Sequence, residues 1–211
     1  MDVVLQGELL TLLPEKAIYW PRERLLLIAD VHLGKVEHFR KAGIAVPAEA
    51  GEANYHVLQE LILEHSPERV IFLGDLFHSC YNYDWELFTE FLESHNHVSF
   101  ELVRGNHDIL HTSQYDRTDM TVHQERIAIG SFLLTHDPVE HKDYYNLCGH
   151  IHPCYKMRGK SRQYLRLPCF YIGQRGGILP AIGSFTGMHP VTTRDGDRVY
   201  VVVDDQIIQV E

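Results

Sequence analysis

Arg104-Gly105-Asn106-His107-Asp108 sets an amide, an imidazole and a carboxylate in three successive positions behind a glycine. Together they offer a neutral oxygen ligand, a proton carrier and an orienting acid. Val98, Phe100 and Leu102 alternate with other residues ahead of them, so the segment reads as a strand that breaks at Gly105. A Gly-Asn pair by itself is ordinarily a turn. Four other apolar runs in the chain end in the same kind of residue. Leu25–Ala29 ends at Asp30 and His32, and Val70–Leu73 at Gly74-Asp75. Phe132–Thr135 ends at His136-Asp137, and Tyr145–Cys148 at Gly149-His150-Ile151-His152.

In open α/β sheets, ligand sites form beyond the carboxyl ends of strands, so one sheet can bring these residues to one rim. Asp30 and His32, two residues apart, point to the same side of extended chain. So many polar groups packed in a dry interior are costly unless something satisfies them, and two divalent cations would do so. Asp75 is the natural bridge, since its carboxylate has two oxygens to share. Asp30, His32 and His152 complete one metal site; Asn106, His136 and His150 complete the other. Oxygen and nitrogen donors without thiolate fit Mn²⁺, Fe or Zn²⁺ better than Cu(I), with Mn²⁺ the expected metal, and the imidazoles argue against Ca²⁺ or Mg²⁺ alone. Of the 15 histidines, five are assigned to the site, His107 included. His78 is a candidate for lining the pocket, and His56, His65 and His123 are read as structural.

The elements that must hold these groups follow from periodicity. Short strands are expected at Val3–Leu5, Leu9–Leu13, Ala17–Trp20 and Leu25–Ala29, with Pro14 and Pro21 as punctuation. Ala50, Ala53, Val57, Leu58, Leu61 and Ile62 follow helical spacing between Ala48 and His65, and Ser66-Pro67 stops the helix. Trp85, Phe88, Phe91 and Leu92 predict a second helix, with Asp84 as its N-cap. The β-α-β-α-β order calls for a mainly parallel, helix-covered sheet. Beyond Asp108 strands dominate: Arg126–Ile129, Phe132–Thr135, Tyr145–Cys148, Leu165–Ile172, Ile178–Ile182, Val199–Val203 and Ile207–Val210. No repeat or linker is evident, so one domain over residues 1–211 is expected.

Composition fits a soluble, cytoplasmic protein: 45% of residues are hydrophobic and 23% charged. The longest aliphatic run, Leu25–Ala29, is too short for a membrane span, and no secretion leader is read at the N-terminus. Cys80, Cys148, Cys154 and Cys169 form no CxxC pair and read as free thiols. Cys148 and Cys154 bracket the Gly-His-Ile-His segment and invite a zinc reading, but its histidines have the better use above. Net charge is −10, against a nucleic-acid coat protein. Charge is unevenly spread: residues 1–152 carry 24 acids and 11 bases, whereas Pro153 to Pro190 holds six bases and no acid. Such asymmetry marks either a solvated basic hairpin or an anionic partner.

Asp-x-His, Gly-Asp, Gly-Asn-His-Asp, a lone His and Gly-His-x-His, in that order over residues 30–152, resemble the calcineurin-like metallophosphoesterases. Tyr19-Trp20-Pro21, Asp30-Val31-His32-Leu33-Gly34-Lys35, Gly74-Asp75-Leu76-Phe77-His78-Ser79, Leu167-Pro168-Cys169-Phe170 and Gly183-Ser184-Phe185-Thr186-Gly187 look like the bacterial DNA-ligase-associated branch. Met188-His189 departs from the glycine-rich continuation of that branch, and no ligand is assigned there. The resemblance implies a sandwich of two mixed β-sheets flanked by α-helices, with a dinuclear metal site at strand C-terminal ends. It also implies phosphoester hydrolysis. Metal-bound water can have its pKa lowered from ~16 to ~7, supplying a bridging hydroxide as nucleophile. His107 is then the general acid for the leaving alkoxide, with Asp108 orienting it.

A chain of phosphodiesters suits the basic stretch, so Lys156, Arg158, Lys160 and Arg162 are expected to bind substrate, with Lys35, His78 and Arg104 near the metals. The expected activity is a Mn²⁺-dependent DNA endonuclease acting on single strands in repair, and the resemblance implies a functional link to an ATP-dependent DNA ligase and a helicase. The competing expectations are a phosphodiesterase for small molecules or a phosphomonoesterase. A non-catalytic scaffold would have no need of the full ligand set.

Overall fold

The computed structural model describes residues 1–41, 43, 45, 49–78, 83–158, 163–183 and 186–211. Ala48, Ser79, Cys80, Lys160, Arg162, Ser184 and Phe185 lie outside the described residues.

The first half of the chain builds one sheet in chain order: β1 (Asp2–Leu5), β2 (Glu8–Leu12), β3 (Ile18–Trp20), β4 (Leu25–Ile28), β5 (Arg69–Leu73), β6 (Ser99–Val103) and β7 (Thr121–His123). Tight turns make β1 to β4 antiparallel. Crossovers make β4 to β7 parallel, as strands that need a long return must be. The crossovers carry α1 (Lys35–Lys41), α2 (Glu49–His65), α3 (Tyr83–Ser94) and the single turn α4 (Thr112–Tyr115). Ser66 ends α2 at a φ of 43°, because Pro67 disfavours helical backbone in the residue before it. Asp84, expected as a cap, is instead the second residue of α3. There its carboxylate still meets the positive end of the helix dipole.

The second sheet comprises β8 (Arg126–Ile129), β9 (Phe132–Thr135), β10 (Tyr145–Cys148), β11 (Pro153–Arg158), β12 (Tyr164–Ile172), β13 (Gly176–Ile178), β14 (His189–Pro190), β15 (Arg198–Val203) and β16 (Gln206–Gln209). Its order is β14-β11-β12-β13-β10-β9-β8, with β15 on β12 and β16 on β15. Both sheets are mixed. The expected strand Ile178–Ile182 pairs no further than Ile178, since the chain then leaves this sheet for the first one. Ile182 N donates to Ala29 O at 3.1 Å and Gly183 N to Asp30 O at 3.1 Å.

β4 explains the layering. Leu26 and Ile28 face the helices with Leu58, Leu61, Ile62 and Phe88. Leu25 and Leu27 face the second sheet with Phe132, Leu134, Leu147 and Phe170. A strand buried on both faces has no polar positions to alternate, hence the unbroken apolar run. On the outer side of the second sheet lies a small cluster around Cys169, Val199 and Val201. Among the described residues no helix is long and apolar enough to cross a membrane.

Candidate metal centre

β4 and β5 stop, yet their loops stay paired. His32 N donates to Asp75 O at 2.9 Å, Leu33 N to Leu76 O at 2.8 Å, and His78 N to Leu33 O at 3.0 Å. Along these loops, and along the one that follows β10, the backbone turns left-handed at the polar residues: φ is 54° at Asp30, 52° at His32, 50° at Asp75, 67° at His150 and 50° at His152. Non-glycine residues in that region cost on the order of 1–3 kcal/mol each. Asp30 and His32 therefore share a side through two left-handed turns, not through the pleat of an extended strand. Gly105 and Gly149 supply the room. A Cβ on Gly105 would collide with the backbone nitrogen and Oδ1 of Asp75, and one on Gly149 with Oδ2 of Asp30.

The outcome is two adjacent groups of donor atoms. Asp30, His32 and His152 form one, and Asp75, His136 and His150 the other; within each group the ligand atoms lie within 4.8 Å of one another. Asp75 reaches both, with Oδ2 3.7 Å from His32 Nε2 and Oδ1 3.4 Å from His136 Nε2. Asn106 Oδ1 joins the second group, 3.0 Å from His136 Nε2. The carboxylates are deep: Asp30 is 0% and Asp75 2% exposed.

Surrounding groups fix which ring nitrogen is available. His136 Nδ1 donates to Leu73 O at 3.0 Å and His152 Nδ1 to Gly187 O at 3.2 Å, which leaves each Nε2 as a lone pair. His32 Nδ1 lies 3.2 Å from His78 Nδ1. Its imidazole is held down to about 2, mainly by burial and then by Lys35, His152, His78 and His107, so the ring is neutral. Among the described residues, the buried Nε2 atoms of His32 and His152 have no hydrogen-bond partner. At His136 the Nε2 lone pair meets the acceptor oxygens Asn106 Oδ1 and Asp75 Oδ1, with His150 Nδ1 beside them at 3.0 Å. Converging lone pairs repel unless a cation sits among them. The donor set therefore fits two divalent metal ions.

The remaining candidates divide. His107 donates its backbone N–H to Asp75 Oδ1 at 2.9 Å, and its ring stands 5.5 Å from that of His32 and stacks on His78 at 4.8 Å. Asp108 is 1% exposed, and its oxygens accept from Phe77 N at 3.0 Å and Gly105 N at 2.8 Å. Burial pushes its carboxyl up to about 6 against those two bonds. Asp108 thus ties the Asn106–His107 loop to the Asp75 loop, where the expectation was that it would orient the imidazole. Arg104, expected near phosphate, turns its guanidinium onto the carbonyls of Asp108 and Leu110, at 2.7 and 3.0 Å. Lys35 opens α1 beside the centre; burial lowers its pKa while Asp75 pulls it back up. Lys156 and Arg158 are exposed on β11 and belong to neither donor group.

Gly187, quoted above only within its motif, contributes through its carbonyl, which accepts from His152 Nδ1. His65 stacks on Tyr19 at 5.0 Å and His123 pairs with Glu101 at 2.7 Å, both structural. Cys148, Cys154 and Cys169 are buried free thiols outside both donor groups.

A two-sheet sandwich carrying paired metal-ligand groups at its strand ends is the architecture that the resemblance in the sequence implied. The chain belongs to the calcineurin-like phosphoesterases, whose family model matches residues 23–191. It is accordingly a metal-dependent phosphoester hydrolase. Among solved structures it is similar to the nuclease MPE of Pseudomonas putida, with a TM-score of 0.82 and 32% identity over 100% of this chain and 99% of that one. No curated protein sequence matches it.

Proposed function

We propose that the chain is a phosphodiesterase with two metals, an endonuclease that cuts single-stranded DNA in cytoplasmic DNA repair, working as one domain over residues 1–211. The observation that carries the reading is Asp75 standing between two donor groups, one of them with orphaned imidazole nitrogens. Likeness to a nuclease over the whole chain and the acid-free basic stretch favour a nucleic acid. A functional link to an ATP-dependent DNA ligase and a helicase belongs to the same proposal.

Asp30, His32 and His152 would hold one cation and Asn106, His136 and His150 the other, with Asp75 shared. Mn²⁺ is the metal proposed, and the oxygen and nitrogen donors suit Fe or Zn²⁺ as well. Once bound, the two cations supply the Lewis-acid charge that draws in phosphate oxygens and makes water a nucleophile at neutral pH. The protein supplies the rest. His107, fixed through its backbone to Asp75 and through its ring to His78, delivers a proton to the leaving alkoxide. Asp108 and Arg104 are positioning residues that hold the loop bearing His107. Lys35 offers an ammonium to the incoming phosphate.

The test is to give Mn²⁺-loaded protein labelled single- and double-stranded DNA, a small aryl phosphodiester and the matching monoester. Cutting within single strands is expected. Hydrolysis of the monoester with no cleavage of either DNA would overturn the proposal.

A further inference from the structure

β11 and β12 form a hairpin with two unlike faces. Cys154 pairs with Pro168, Lys156 with Arg166 and Arg158 with Tyr164. Between them Tyr155 pairs with Leu167 and Met157 with Leu165. Side chains of registered pairs share a face, and successive residues alternate. One face is therefore cationic with an aromatic ring at its far end, and the other is apolar. Pro168 has the parity of Phe170 and Ile172, which are buried between the sheets. The cationic face thus continues the inter-sheet side outward. No acid occurs between Pro153 and Pro190 to neutralise it.

This face begins beside the metal centre. A cavity of about 130 Å³ is lined by His152, Pro153, Pro168, Gly187 and Lys16. Lys16 enters from the β2–β3 turn with its ammonium 3.4 Å from Ile182 O, and among the described residues no carboxylate pairs with it. Burial lowers its pKa, so an anion that shared the cavity would relieve a desolvated charge. From the Pro168 row to the Tyr164 row the hairpin runs about 13 Å at roughly 3.3 Å per residue. Tyr164 is 53% exposed and has the Lys156 ammonium over its ring, 4.0 Å from the centroid.

We propose that this is the path of the substrate strand: a phosphate flanking the one being cut enters the Lys16 cavity, the DNA leaves over Arg166, Lys156 and Arg158, and a base lies on Tyr164. The inference rests on the nuclease reading and deepens it. The path takes a single strand for two reasons. The hairpin is two strands wide, about 4.8 Å between them, and a ring can stack on a base that is not already stacked in a duplex.

The experiment uses fluorescence anisotropy of a labelled oligodeoxythymidylate with full-length, metal-loaded His107→Ala protein as the parent, so that binding is read apart from cutting. Tyr164→Ala weakens binding about tenfold, and an oligonucleotide with an abasic tract binds parent and Tyr164→Ala alike. Lys156→Ala, Arg158→Ala, Arg166→Ala and Lys16→Met each flatten the slope of log K against log salt by about 0.7. Met157→Ser and Leu165→Ser, on the other face, keep the affinity of the parent. Equal losses from both faces, or none from the cationic face, overturn the path. If the face variants lose affinity but native protein cuts no DNA, the path stands and the nuclease reading falls. If native protein cuts DNA and the face is indifferent, the path falls and the nuclease reading stands.

Discussion

His152 ends the rim of donor groups and Pro153 begins the basic hairpin, yet the two regions fix their side chains by opposite means. At the rim, five polar residues take left-handed backbone, three of them buried, and the carbonyls of Leu73 and Gly187 set the tautomers of His136 and His152. On the hairpin, regular pairing alternates side chains into solvent. Rim geometry is stored in the backbone, so a small change there should disturb metals and chemistry together. Hairpin geometry is stored in register, so a truncated side chain should remove its own contact and little else.

Experiments can break that contrast, the most severe first. Asp75→Ala should lose metal and activity together, by about a thousandfold or more, beyond the ~10–100-fold typical of outer-shell changes. Metal analysis beside rates on an aryl phosphodiester reads both; full metal content in that variant would deny Asp75 its bridging place. His107→Ala should lose ~10²–10⁴-fold in turnover while keeping its metals. The loss should shrink for an aryl leaving group, which needs no proton, and a fully active variant removes the assignment. Gly105→Ala should push the Asp75 carboxylate aside and weaken metal binding by ~10–100-fold. An unchanged titration would mean the rim is softer than its backbone implies. Chelation of native protein should lower Tm by about 5–10 °C, reversibly, as loss of a ligand that binds the folded state demands. The mildest change is Arg158→Ala, expected to raise KM for DNA a few-fold with Tm unmoved. A large fall in Tm would make the hairpin as stringent as the rim.

The same contrast explains what could be read in advance. Ligand types and their order were legible because each follows an apolar run, and β4, β5, β6, β9 and β10 are where those runs predict strands. The left-handed turns at Asp30 and His32 were not, since Asp and His carry no signature for them as glycine does. β11 does carry a strand's alternation, Tyr155 and Met157 against Lys156 and Arg158, but its cations read as charge before they read as one face of a strand. Thr121–His123 is too short and too polar to register as a strand. Arg104 and Asp108 were assigned to substrate and to His107 because proximity in sequence cannot reveal a carbonyl or an amide folding back to claim them. Lys16 reaches the cavity beside His152 from a turn far upstream, a placement that depends on tertiary packing alone.

One arrangement at the rim reaches beyond chemistry. His150 N grips Asp30 from 120 residues away, and each donor group draws on both sheets. Cations seated there act as removable rivets, closing long chain loops much as cross-links do. Withdrawing them would let the open end of the sandwich breathe. Hydrogen exchange at the tips of β4, β5 and β10 would then rise in step, while the far ends of the same strands stay silent.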